Sequence, residues 1–193
     1  MKFINDIIDY IPKDNQEAQD KKVIIDYIKL FSGNVLSREN EIAHITSSGF
    51  IVNHVLDKTL MIHHNIRNTW AWTGGHADGN ENLLDVAVKE AFEETGVKAK
   101  PLSSKIASID ILHVEGHFRR GRYVNSHLHL SVAYILVADE NETPVVKLDE
   151  NSAVRWLPIK NIDERLFTNR DVYLYTKLVQ QAEEWKEQHQ CPN

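Results

Sequence analysis

Three glutamates with helical spacing lie near the middle of the 193-residue chain. Glu90, Glu93 and Glu94 are spaced i, i+3 and i+4, so a helix through them places all three carboxylates on one side. Neighbouring carboxylates repel one another, and a divalent cation would balance their charge. Oxygen donors of this kind favour Mg²⁺ or Mn²⁺ over Zn²⁺. The spacing therefore indicates a hard-metal site, and the alternative is an acidic helix face in solvent.

A glycine-rich turn precedes these glutamates. It contains three glycines and two polar residues: Gly74, Gly75, His76, Asp78 and Gly79. Glycines allow the backbone to approach a ligand closely, so this turn suits a cation bound together with phosphate. Asn82 as N-cap and Gly96 as C-cap predict a helix over residues 83–95.

The apolar residues of this helix predict which side faces the core. Four of them form a stripe nearly opposite the glutamates: Leu84, Ala87, Val88 and Ala91. Leu83 and Val86 interrupt the acidic side. We therefore expect a loop to cover part of the acidic side.

The stretch from Gly75 to Val97 resembles the motif of the Nudix hydrolases, G-x5-E-x7-R-E-U-x-E-E-x-G-U, where U is a bulky aliphatic residue. The matching positions are Gly75, Glu81, Glu90, Glu93, Glu94, Gly96 and Val97. Two positions depart from the motif, because Lys89 replaces the family's Arg and Ala91 replaces a larger aliphatic residue. The resemblance implies that Lys89 pairs with Glu81, with looser geometry than a planar guanidinium would give.

The resemblance implies hydrolysis of a diphosphate linkage, typically in a nucleoside diphosphate joined to another group. Water attacks phosphorus while Mg²⁺ or Mn²⁺ neutralises the phosphate oxygens. By the same resemblance Glu90 and Glu94 are metal ligands, Glu93 is a shared ligand or the base, and the Gly75 carbonyl is a further ligand. Sugar nucleotides, dinucleotides, oxidised nucleoside triphosphates, coenzyme A and non-nucleotide diphosphates all stay open as substrates.

Several other residues are candidates for contact with the substrate. A basic segment over 117–127 contains Arg119, Arg120 and Arg122, which pair with phosphates or lie in a solvated hairpin. Trp70 and Trp72 stack on a base or pack in the core. The remaining candidates are His76 in the glycine-rich turn and Glu150, which the resemblance places in a late loop that reaches the metal.

Two histidines, His127 and His129, share one face of a predicted strand. A zinc site would need further ligands, for which His113 or His117 is a candidate. The alternative is a set of polar side chains that line the pocket side of the sheet.

Strands before and after one central helix predict an α/β layer fold. The resemblance implies a Nudix-like α/β/α sandwich with a mixed β-sheet. We expect residues 1–40 to form a helical N-terminal extension that packs on the core or forms a homodimer contact. The resemblance implies a Nudix domain over residues 41–193, with a C-terminal helix from Asn169 to about His189. The predicted strands are Ile42–Asn53, Thr59–His63, Ile106–Val114, Leu128–Val137 and Val154–Leu157, and Val23–Phe31 is the second predicted helix.

The composition argues against two classes of partner, nucleic acids and membranes. A net charge of −6 argues against sequence-independent nucleic acid binding, and no apolar run is long enough to span a bilayer. The single cysteine, Cys191, and an N-terminus unlike a signal peptide favour a cytoplasmic protein. Two other functions stay open: a nucleotide sensor that does not hydrolyse its ligand, and isopentenyl diphosphate isomerase. The isomerase needs an active-site cysteine, and Cys191 lies at the C-terminal end.

Overall fold

The computed structural model describes residues 2–119 and 121–189. Its α-helices are α1 (Lys2–Asp9), α2 (Asn15–Phe31), α3 (Leu83–Thr95) and α4 (Asn169–His189). Its strands are β1 (Ala43–Asn53), β2 (Lys58–His64), β3 (Thr69–Ala71), β4 (Thr73–His76), β5 (Lys100–Pro101), β6 (Ser108–Val114), β7 (His117–Arg119), β8 (Arg122–Val124), β9 (His127–Ala138) and β10 (Asn151–Pro158). None of the described helices is long and apolar enough to cross a bilayer.

Eight strands form one sheet with the order β10–β2–β1–β9–β5, and β3, β4 and β6 pair with β2, β1 and β9 respectively. Strands β7 and β8 form a separate hairpin. The α/β class predicted from the order of elements is confirmed.

The residues group into two compact units. The first unit comprises the chain up to Ser48, together with Gly74–Ala87 and Ser104–Tyr134. The second unit comprises Gly49–Thr73, Val88–Ser103 and the chain from Ile135 onward.

In the first unit, the N-terminal helices pack on β6. The Tyr10 hydroxyl donates a hydrogen bond to Glu17 at 2.7 Å and lies 3.2 Å from the carbonyl oxygen of Ala107. The backbone N–H of Ile111 donates to Asp20 at 3.0 Å. Glu17 is fully buried, and its carboxylate accepts hydrogen bonds from the Tyr10 hydroxyl and from Lys13 N, which replace the water that it would otherwise bind. The predicted domain boundary near residue 40 stays a prediction.

In the second unit, β2 lies between β10 and β1, and Leu60 pairs with Trp156 on one side and with Ile51 on the other. Helix α4 contributes Tyr175, which is fully buried with its ring 5.8 Å from that of Phe50. The apolar side of α4 therefore packs in the core, as its residue pattern predicted.

Two predicted element boundaries differ from the observed ones by three residues or more. Helix α2 begins at Asn15 rather than near Val23, because Asp14 caps it and accepts a hydrogen bond from Glu17 N at 2.9 Å. Strand β10 begins at Asn151 rather than Val154. It pairs with β2 at the edge of the sheet, where polar residues extend a strand beyond its apolar run.

The prediction for the buried side of α3 is partly wrong. The fully buried apolar residues are Leu83, Val86, Ala87 and Ala91, whereas Leu84 and Val88 are only partly buried. The buried arc is therefore rotated toward the glutamates, and Glu94 lies within it at 4% exposure. The acidic side is therefore partly buried, as expected, while Glu93 stays 38% exposed.

Candidate active site

The turn that leads into α3 depends on glycine for a close backbone approach. A Cβ atom at Gly74 would lie 2.5 Å from Ser48 Oγ and 2.9 Å from the carbonyl oxygen of Ser47. Asp78 and Gly79 then take left-handed conformations, with φ of 47° and 86°, and reverse the chain. The local sequence therefore forms the glycine-rich turn that was predicted.

An ion pair fixes the same turn. Arg38 Nε donates to Asp78 Oδ1 at 2.8 Å, and a second guanidinium nitrogen contacts Oδ2. This bidentate ion pair with Arg38 lowers the pKa of the Asp78 carboxyl below its usual range.

Helix α3 presents its three glutamates at different depths. The side chain of Glu93 is 38% exposed and that of Glu90 is 18% exposed, whereas Glu94 is buried. The solvent exposure of the three carboxylates therefore falls from Glu93 through Glu90 to Glu94. Carboxylates at different depths suit a cation that enters from solvent and binds to the carboxylate oxygen atoms.

Lys89, the residue that departs from the family motif, contacts this acidic face. Its ammonium lies 3.2 Å from Glu93 Oε1 and 3.9 Å from Glu90 Oε1. Lys89 is 63% exposed, so solvent weakens both ion pairs. The pairing of Lys89 with Glu81 stays a prediction.

A late loop covers the C-terminal end of α3. Gly96 ends the helix with φ of 70°, and Val145 N donates to the carbonyl of Thr95 at 2.7 Å. The side-chain amide of Asn151 donates to the Glu94 carbonyl at 2.9 Å. These contacts hold residues 145–151 against the end of the helix, and Glu150 lies within this segment.

Glu150 adds a fourth carboxylate to the neighbourhood of the acidic face. It pairs with Lys147 at 3.2 Å and lies within electrostatic range of Glu90. Burial raises the pKa of the Glu90 carboxyl, and the charges of Glu93 and Glu150 raise it further, while Lys89 and Lys147 oppose the rise. An anionic Glu90 is therefore destabilised where it lies, and a divalent cation would relieve this. The clustered donors are all carboxylate oxygens, so they fit Mg²⁺ or Mn²⁺.

The candidate substrate residues differ in their surroundings. Trp72 is buried with its ring 5.7 Å from that of Tyr175, so it packs in the core. Trp70 is only partly buried, stacks edge-on to His63 and lies 5.8 Å from the Arg155 guanidinium. Trp70 therefore stays available for stacking on a base.

The basic segment over 117–127 forms the β7–β8 hairpin, and Arg122 is exposed on β8. Arg120 lies outside the described residues, as does Cys191, and the side chain of Arg119 is also not described. Contact between these arginines and a phosphate stays a prediction.

The first unit contains a cluster that sequence reasoning found only in part. His127 and His129 form a group with His44 and His76, and the candidate third ligands His113 and His117 do not belong to that group. Burial and the neighbouring imidazoles lower the pKa of His129 to about 2, and burial likewise lowers the pKa of His44. Both rings are therefore neutral near pH 7. Isolated histidines on separate strands give no local sequence signal, so only the strand pairing reveals the group.

A family model for the NUDIX domain matches residues 46–178. The chain belongs to the Nudix family. The resemblance seen in the motif is thereby confirmed, and with it the expectation of a Nudix-type hydrolase.

Two curated relatives show how this Nudix protein compares with known members. It is 25% identical over 146 residues to a probable DHNTP pyrophosphohydrolase of Lactococcus lactis subsp. cremoris, covering 76% of this chain and 84% of the relative. It is 32% identical over 100 residues to the asymmetrical bis(5'-nucleosyl)-tetraphosphatase of Mus musculus, covering 51% of this chain and 58% of that protein.

A solved structure confirms the fold. A Nudix-family hydrolase from Clostridium perfringens is similar with a TM-score of 0.51 at 19% identity, covering 71% of this chain and 96% of that one. The Nudix-like sandwich with a mixed sheet and additional N- and C-terminal helices is therefore the observed architecture.

Proposed function

We propose that this Nudix protein hydrolyses a diphosphate linkage in a small molecule, with Mg²⁺ or Mn²⁺ as an obligatory cofactor. The observation that carries the proposal is the graded group of carboxylates on α3, Glu90, Glu93 and Glu94, with Glu150 held nearby. In this proposal Glu90 and Glu94 are the principal metal ligands. The family motif adds the Gly75 carbonyl as a further ligand.

The bound cation would supply positive charge to the phosphate oxygens and acidify a water molecule. The residues of the chain contribute position and proton acceptance. The Asn151 amide donates to the backbone carbonyl of Glu94, which holds the helix backbone in place beneath that buried carboxylate. Glu93 is the most exposed of the three carboxylates and contacts Lys89, so it is placed to share the cation or to accept the proton of the attacking water.

The substrate class we favour is a nucleoside-linked polyphosphate. The support is the similarity to relatives named as a probable DHNTP pyrophosphohydrolase and as an asymmetrical bis(5'-nucleosyl)-tetraphosphatase. Trp70 offers a partly exposed aromatic face for a base, and Arg122 offers a guanidinium for phosphate. Arg119, Arg120 and His76 remain further candidate contacts from the sequence.

A panel of phosphorylated compounds tests the proposal. It contains DHNTP, dinucleoside polyphosphates, sugar nucleotides, oxidised nucleoside triphosphates and coenzyme A, each assayed with Mg²⁺ and with EDTA. We expect cleavage of at least one member that depends on Mg²⁺. Tight nucleotide binding with no cleavage of any member would instead support the sensor function.

A further inference from the structure

The side chains of four histidines in the first unit lie close together. We call them the histidine cluster: His44, His76, His127 and His129. One ring nitrogen from each lies within 4.8 Å of the others. The ring of His44 is central, with centroid distances of 4.9 Å to His76, 5.0 Å to His127 and 5.3 Å to His129.

The backbone pairing of three strands holds this cluster in place. Ala77 N donates to the carbonyl of Ile45 at 3.2 Å, which brings His76 beside His44. Leu128 N donates to the carbonyl of Ile42 at 2.9 Å, which brings the start of β9 to the same place. Successive odd residues of β9 share a face, so His127 and His129 point to the same side.

Hydrogen bonds to backbone carbonyls orient two of the rings. His44 Nδ1 lies 2.9 Å from the carbonyl oxygen of Asn40, and His127 Nδ1 lies 2.8 Å from that of Asn125. A carbonyl oxygen only accepts, so Nδ1 carries the hydrogen in both rings and Nε2 keeps its lone pair. Metal-binding histidines have the same arrangement, in which an outer acceptor fixes the tautomer.

One nitrogen of the cluster lacks the partner that its burial demands. His44 is 3% exposed, and its Nε2 atom is buried with no hydrogen-bond partner. An unsatisfied buried acceptor lowers the stability of the folded protein, so such atoms are rare without a reason. A cation at the centre of the cluster would give this lone pair a partner.

We propose that His44, His76, His127 and His129 bind one transition-metal ion, for which Zn²⁺ is the best fit, as a four-coordinate structural site. Zn–N bonds of about 2.0–2.1 Å in a tetrahedron place the nitrogens about 3.4 Å apart. His127 Nε2 and His129 Nε2 are already 3.1 Å apart, and the 4.8 Å limit for the whole group requires only small ring rotations. Four protein ligands complete the coordination, so this metal stabilises the junction of β1, β4 and β9 and activates no water.

The donor set separates this site from the proposed hydrolytic metal. Mg²⁺ prefers oxygen ligands and binds poorly to imidazole, whereas a set of four imidazole nitrogens suits zinc. The proposal goes beyond the proposed function and assigns His76 to a metal rather than to the substrate.

The test measures metal content and coordination in the full chain with any affinity tag removed. Zinc per chain is determined by mass spectrometry after dialysis, and the metal-free protein is titrated with Co²⁺, whose visible spectrum reports tetrahedral geometry. The variants are His44→Gln and His129→Gln, with His113→Gln as the matched control, because His113 is an exposed histidine outside the cluster. Glu94→Gln is included to exclude binding of Zn²⁺ at the acidic face.

We expect about one zinc per chain and a tetrahedral Co²⁺ spectrum for the unaltered protein, for His113→Gln and for Glu94→Gln. The zinc content and the intensity of the tetrahedral Co²⁺ spectrum should both fall to near zero in His44→Gln and His129→Gln. A folded unaltered protein without a tetrahedral Co²⁺ spectrum would overturn the proposal, whether or not the variants fold. Loss of zinc in Glu94→Gln with retention in His44→Gln would also overturn it.

Discussion

The acidic face of α3 and the histidine cluster offer opposite kinds of ligand to a cation. The first consists of carboxylate oxygens, graded from the exposed Glu93 to the buried Glu94, with ammonium groups beside them. The second consists of four imidazole nitrogens, with an orphaned nitrogen on the buried His44. The first therefore suits a hard ion that exchanges with solvent and substrate, and the second suits a borderline ion that stays bound.

The two regions also differ in how the sequence encodes them. The acidic face follows from spacing within one helix, so the glutamates could be read directly from the sequence. The histidine cluster comes from three strands that are distant in sequence, and its members meet only through the pairing of β1, β4 and β9. Local spacing predicts the first kind of site, whereas the second depends on strand register.

Loss of the buried carboxylate should have the largest effect. In Glu94→Gln, removal of one negative charge from the metal ligands should lower turnover by at least about 1,000-fold, or roughly 4 kcal/mol. The fold should survive because the amide has the same shape as the carboxylate. Rates are compared with Glu187→Gln, an exposed glutamate on α4. Near-normal turnover in Glu94→Gln would contradict the role of the acidic face.

Removal of zinc should have the next largest effect and should act on stability. If zinc is present at about 100 times its dissociation constant, its loss should destabilise the fold by about 2.7 kcal/mol. For a chain of this size, the midpoint of thermal unfolding should fall by roughly 5–10 °C. The measurement uses a zinc-selective chelator with Mg²⁺ in excess. The same treatment should leave the unfolding temperature of the His44→Gln/His129→Gln double variant unchanged, and an equal fall there would argue against the cluster as the zinc site.

The end of α3 should be sensitive to any side chain at Gly96. In Gly96→Ala, a φ of 70° and a Cβ atom 3.1 Å from Val145 should lower the free energy of unfolding by about 1–2 kcal/mol. Urea unfolding measures the loss. Gly33→Ala is the control, because a Cβ there meets nothing within 4 Å. Equal stabilities for the two variants would mean that the late loop is not held by this helix end.

Glu150 should affect metal affinity more than the chemical step. In Glu150→Gln, loss of one nearby negative charge should raise the Mg²⁺ concentration for half-maximal rate by about tenfold. The rate at saturating Mg²⁺ should change much less. An unchanged Mg²⁺ dependence would remove Glu150 from the proposed site.

The smallest effect should come from Lys89→Arg, which restores the residue of the family motif. Because Lys89 is well exposed and its ion pairs are screened, turnover should change by less than about threefold. A much larger gain would mean that the missing guanidinium limits the enzyme through a contact such as that predicted with Glu81.

Much of the fold followed from residue patterns, and the exceptions have physical causes. Helices α3 and α4 begin and end where their caps and apolar stripes predicted. The buried side of α3 was partly wrong because hydrophobicity alone assigns glutamates to solvent. Glu94 is instead buried, at 4% exposure. The surroundings of Trp70 and Trp72 could not be separated from sequence, since burial depends on distant residues such as Tyr175.

Direct binding of Mn²⁺ to the metal-free protein is the sharpest test that the two regions select different ions. Electron paramagnetic resonance of Mn²⁺ is recorded for the unaltered protein, for Glu94→Gln and for His44→Gln. We expect the unaltered protein and His44→Gln to bind Mn²⁺ alike, and Glu94→Gln to lose that binding. Undiminished Mn²⁺ binding by Glu94→Gln would contradict the assignment of the acidic face as the hydrolytic metal site.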